Sequence, residues 1–114
     1  MRLFEMLVKQ DVDRIEKDSK VVDIPRIDYK FSEDKSIHLI KDHIDETYKS
    51  HYSENKFQAT EFILDSGHGT GFCMGNILKY AQRYGKKGSK EDHRNDLMKI
   101  IHYAIIQLHV HDYK

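Results

Sequence analysis

Apolar side chains recur every three or four residues through most of this chain, and only one proline, Pro25, interrupts its 114 residues. That period stacks side chains on one face of a helix and differs from the strict alternation of a half-buried strand. Four stretches carry it: Phe4, Leu7, Val8, Val12 and Ile15; then Ile37, Ile40, Ile44 and Tyr48; then Cys73, Ile77, Tyr80, Ala81 and Tyr84; finally Leu97, Ile101, Ala104, Ile105 and Leu108. Each set is expected to face a core. A shorter helix is expected over residues 58–64, with Phe62 and Ile63 inward, and another over 72–84. The punctuation agrees. Ser32 before Glu33 and Asp34 marks a helix start, residues 66–71 a break, Gly85 a left-handed helix end, and Ser89 with Asp92 a capping pair. Residues 21–31 are the exception: Ile27, Tyr29 and Phe31 alternate with Asp28 and Lys30 beside Pro25, which reads as extended chain. The expected fold is a small, mainly α-helical domain with an extended N-terminal arm or short strand.

A chain of this length supports one core. Its hydrophobic content is 39% against 33% charged residues, and its mean hydropathy is −0.73, so some apolar burial is expected to come from subunit contacts. A homo-oligomer follows, with the arm within residues 1–31 packing on another subunit. Residues 1–47 read as a possible oligomerisation element and 48–114 as the helical binding core. No apolar run approaches the roughly 20 residues that span a bilayer, and the start lacks the order of a signal peptide, so a membrane partner is not expected. One cysteine, Cys73, forbids an internal disulfide and a cysteine-based metal cluster within one chain. The expected location is cytoplasmic.

Charge is where function shows. Lys and Arg total 19 and Asp and Glu 19, yet from Lys79 to Lys90 there are five basic residues and no acidic one. Lys79, Arg83, Lys86 and Lys87 project from one helix end and the loop after it. One or two cations suffice to complement a helix dipole; this number points to an anion, and phosphate is the natural choice. Gly75 permits close approach one turn earlier, Asn76 offers donor and acceptor, and Tyr80 or Tyr84 can stack on a base. The sequence pI near 7.1 and the shortness of the patch disfavour nucleic acid. The glycine-rich run at 67–71 lacks the Lys-Ser/Thr pair of a P-loop, though helix-start N–H groups near Thr70 can face an anion. Spacing of the eight histidines does not suggest a shared metal. Asp42, Asp45 and Glu46 share a helix face that reads first as solvated charge and only weakly as a magnesium set.

Residues 72–80, with Arg83 and Gly85-Lys86-Lys87-Gly88, resemble the central motif of the SaV-like phage proteins. Asp96-Leu97-x-Lys99 and Tyr103 resemble that family's second signature, and His51-Tyr52 and Glu61-Phe62-Ile63 its opening segments. The resemblance covers about residues 48–108. His102 departs from it, standing where an aromatic is usual, and Ile100 stands where alanine is common. The family includes a podoviral nucleoside monophosphate kinase that lacks a P-loop. The resemblance therefore implies nucleotide chemistry in a host-cell cytoplasm, with a nucleoside triphosphate donor and magnesium. Catalytic roles would fall to Lys79, Arg83 and His51. Gly75, Asn76, Lys79, Tyr80, Arg83, Lys86, Lys87 and Tyr52 would bind nucleotide, and Asp92 and Asp96 are weak candidates for the metal. Two other readings stand beside the kinase: a protein that sequesters a nucleotide without chemistry, and an inhibitor that docks on a host enzyme.

Overall fold

The structure, a computed structural model, describes residues 26–50 and 53–113, the side chains of 53–55 excepted. The chain forms two compact units, residues 1–30 and 31–114. Of the first, residues 26–30 are described and contain no strand; the expected helix within residues 1–20 lies outside the described residues.

The second unit is four helices: α1 (Glu33–Lys49), α2 (Ser53–Asp65), α3 (Gly69–Arg83) and α4 (Lys90–Asp112). The domain is mainly α-helical, as the periodicity predicts. α1 begins where expected, but the Ser32 side chain makes no capping bond; the Glu33 carboxylate instead accepts the Phe31 N–H at 2.7 Å. Tyr48 stacks on Phe57 with ring centroids 4.2 Å apart, joining α1 to α2. The break before α3 is shorter than expected. It is confined to residues 66–68, because Gly69 is already helical and buried against Leu64 and Val110.

α3 and α4 form an antiparallel hairpin, shown by the contacts Gly69–Val110, Thr70–Gln107, Phe72–Tyr103 and Arg83–Asp96. The expected turn chemistry makes it. Gly85 has φ 78° and ends α3. Ser89 and Asp92 form a reciprocal capping box that starts α4. Gly88, at φ 94°, passes so close to Asp92 that a Cβ there would sit 2.6 Å from its carboxylate, so only glycine fits.

The core is small. Among the described residues the buried apolar side chains are Ile40, Cys73 and Met98, joined by the buried polar side chains of Asp96 and His102. Several expected core positions are corrected. Ile37, Tyr48 and Phe62 are exposed, as are Leu97, Ile101, Ile105 and Leu108; Ala81, Tyr84 and Ala104 are also exposed. The reason on α4 is a choice of face. It turns Asp96, Lys99, Tyr103 and Gln107 toward α3, leaving its regular apolar stripe on another side.

His102 is 9% exposed. Its ring meets His43 of α1 edge-on at 6.3 Å. Burial, with Lys56 and His43 adding repulsion, pushes its pKa down to about 4; burial and the same lysine also lower His43. A histidine held neutral in the fold but free to protonate when unfolded stabilises above its unfolded pKa and loses that stability as pH falls toward its folded value. Between about pH 7.5 and 5 the His102 shift alone should remove about 2 kcal/mol of stability. Urea unfolding at the two pH values measures the loss, and His102→Phe should shrink it.

Candidate functional site

Three cations converge on one ring at the C-terminal half of α3. The charged groups of Lys79, Arg83 and Lys99 lie 5.2, 4.8 and 5.0 Å from the centroid of Tyr80. Lys79 and Arg83 flank Tyr80 on α3 because i, i+4 spacing aligns them, while Lys99 reaches over from α4. Cation–π attraction gathers these side chains. Tyr80 is held from behind by Tyr103, the two rings near-parallel at 6.1 Å, and Phe72 meets Tyr103 edge-on at 5.7 Å.

One carboxylate offsets this charge directly. Asp96, 3% exposed, accepts from Arg83 Nη2 at 2.5 Å and Nε at 3.2 Å through the same oxygen, Oδ1. The Arg83 hydrogen bonds hold the Asp96 carboxyl below its ordinary pKa, and Lys99 and His93 act in the same direction. Hydrogen bonding to Asp96 in turn raises Arg83. A carboxylate so stabilised stays ionised at neutral pH, so the local balance is three cations to one anion. The ion pair of Asp96 is with Arg83, and Lys99 sits over the ring.

The remaining expected residues divide. Asn76 lies on the same face of α3, and one N–H of its amide donates to the Phe72 carbonyl at 2.9 Å, leaving its second N–H and its side-chain oxygen to meet a ligand. Gly75 is exposed, and a Cβ there would meet nothing within 4 Å, so the space through which a ligand would approach is open. Lys86 and Lys87 lie in the exposed turn after α3, which is pinned when His93 Nε2 donates to the Lys87 carbonyl at 3.1 Å. Tyr80, a candidate for stacking on a base, carries the three cations and Tyr103 around its ring. Thr70 lies nine residues from Lys79, roughly 13 Å along the helix, and its hydroxyl accepts from Gln107, so the glycine-rich turn does not join the cluster. His51 and Tyr52 lie outside the described residues. Sequence reasoning missed Lys99 and Tyr103 as parts of the cation cluster. Their i, i+4 spacing was the available signal, but only the antiparallel register shows that they meet Tyr80.

Metal candidates fare differently. Both directions of the capping box engage Asp92, and Asp96 is taken by Arg83. Asp42 pairs with His38, Asp45 with Lys41 and Glu46 with Lys49 along α1. Among the described residues no group of three or more His, Cys, Asp or Glu side chains is placed to hold a metal ion, and no helix is long and apolar enough to cross a membrane.

Residues 46–105 match DUF3310, a protein family of unknown function, and the chain belongs to that family. The matched segment contains every member of the Tyr80 cluster. No curated protein matches the chain, and no solved structure does.

The open space at Gly75 makes a direct prediction. Gly75→Ala should raise stability by about 0.5–1 kcal/mol through helix propensity, measured by thermal or urea unfolding. Gly69→Ala should gain less or lose, because its methyl would lie 3.1 Å from Val110 and 3.2 Å from Leu64.

Proposed function

We propose that this member of the DUF3310 family binds a nucleotide through its phosphates at the Lys79–Arg83–Lys99 cluster. The observation that carries the reading is the convergence of three cations on one ring with Asp96 as their direct counter-charge. Such an arrangement holds more positive charge than the fold's own ion pairing consumes, and it presents point charges and a planar fork suited to phosphate oxygens. Lys86 and Lys87, on the turn that leaves α3, extend the field toward a second phosphate. Asn76 supplies a neutral polar contact on the same face.

The resemblance to SaV-like phage proteins favours chemistry at this site: transfer of the γ-phosphoryl group of a nucleoside triphosphate to a nucleoside monophosphate, giving two diphosphates. Such a transfer chiefly needs positioning and positive charge on the transferred oxygens, which Lys79, Arg83 and Lys99 would supply. His51 would then handle the proton of the accepting phosphate and Tyr52 would stack on a base. Magnesium would arrive with the triphosphate; Asp92 and Asp96, committed to the cap and to Arg83, do not fit a site for it in this structure. That commitment favours a second reading, sequestration of a nucleotide without turnover. In both readings the protein works as a homo-oligomer in the cytoplasm of a phage-infected cell.

Titration of the full chain with nucleoside mono- and triphosphates, followed by thermal shift and calorimetry, tests the reading. Lys99→Gln and Arg83→Ala should each weaken binding at least tenfold, the loss expected of a charge-assisted hydrogen bond. The lysine variant leaves the Arg83–Asp96 pair intact and so separates binding from folding. Unchanged affinity in a folded Lys99→Gln protein would overturn the site. Diphosphate formation from a triphosphate and a monophosphate selects the kinase; binding without product selects sequestration.

A further inference from the structure

The apolar stripe on α4 has a regular spacing and is exposed among the described residues. Leu97, Ile101, Ala104 and Leu108 follow one another at 4, 3 and 4 residues, the heptad spacing of a helix–helix seam. Leu97, Ile101 and Leu108 are 42, 41 and 60% exposed. Ile105, also exposed, widens the stripe. The unit that displays it has Ile40, Cys73 and Met98 as its buried apolar side chains among the described residues, a small core for a helical unit of this length. An exposed stripe of this regularity marks an interaction surface.

We infer that this stripe is the seam between two copies of the chain, packed with their α4 helices antiparallel about a two-fold axis. This locates the oligomer contact assumed above and does not depend on the nucleotide. The register follows from the sequence. In an antiparallel pair each a position faces a d position, and one register satisfies all of them. Leu97 faces Leu108 of the partner subunit, Ile101 faces Ala104 of the partner subunit, and Arg94 faces His111 of the partner subunit. Large side chains meet at the ends and Ile meets Ala at the centre, so the helices can approach closely along the seam.

Charge chooses this orientation over the parallel one. A parallel pair would set Arg94 against Arg94 of the partner subunit at one end. The antiparallel pair removes that repulsion and brings the C-terminal end of one α4 beside the N-terminal end of the other, where their dipoles attract. It also has a place for that end. An open groove of about 620 Å³ lies beside the start of α4, lined by Tyr84, Lys90, Glu91, His93, Arg94 and Leu97. Leu108 of the partner subunit would enter it beside Leu97. Asp112 of the partner subunit would lie among Lys90, Glu91 and Arg94, two cations to one acid. The cation cluster on Tyr80 is on another face of the hairpin, so the seam leaves it open.

Cysteine cross-linking of the full chain tests both partner and orientation. Cys73 is buried and should not compete. Under mild oxidation the double variant Leu97→Cys/Leu108→Cys should form a disulfide-linked dimer, while Leu97→Cys alone should not. Its counterpart in the partner subunit would be about 11 residues away along the helix, roughly 16 Å, beyond disulfide reach. Light scattering of the wild type should give at least twice the 13.5 kDa chain mass, and Ile101→Asp should lower it to one chain while circular dichroism keeps its helix signal. A monomeric wild type overturns the inference, as it would if residues 1–25 or an unrelated protein cover the stripe. Cross-linking by Leu97→Cys alone overturns the antiparallel register. The cross-link does not require Ile101→Asp to fold, and neither result depends on whether a nucleotide binds.

Discussion

A carboxylate removed from water needs a partner, and the pairing of Asp96 with Arg83 sets the terms for the rest of the helical unit. Breaking such a pair strands a buried charge, so α3 and α4 are bound to the register that keeps the two together. That register turns a polar face of α4 toward α3. It carries Lys99 onto Tyr80, seats Tyr103 behind the ring and brings Gln107 to Thr70. The cation cluster is a consequence of the hairpin's polar interface.

The same choice explains the small core. A helix has a limited number of faces, and α4 gives one to charged and aromatic contacts with α3 and another, through Met98 and His102, to the interior. Its most regular apolar positions then face out. Exposed apolar surface and a concentrated positive patch thus arise from one packing decision. They lie on different faces of the hairpin, so the proposed seam and the proposed phosphate site would not compete for surface.

Much of this was legible in the residues. Helix positions followed from periodicity, and Gly85, Ser89 and Asp92 fixed the turn between α3 and α4 because left-handed φ and reciprocal capping are local chemistry. Lys79, Arg83, Lys86 and Lys87 were legible as a cation concentration for the same reason, being close in sequence. What was misread is the direction in which helices face. Leu97, Ile101 and Leu108 form the better apolar stripe, and nothing local to α4 says that Asp96 will be buried instead. Lys99 and Tyr103 join the site only across the hairpin, a contact that depends on register rather than spacing. Gly75 reads as a point of close approach for a ligand, and the space beside it is open; which group would fill that space is not written in the residues around it.

The central claim is that the cluster on Tyr80 receives phosphate. Backbone amide chemical-shift mapping of the full chain during titration with a nucleoside monophosphate, and separately with inorganic phosphate, tests it most directly. The account predicts that both ligands move the amides of residues 76–87 and of Lys99 and Tyr103 most, with shared directions for the two titrations. Saturable binding that leaves those amides unmoved, or that moves chiefly the 66–71 turn, would contradict it.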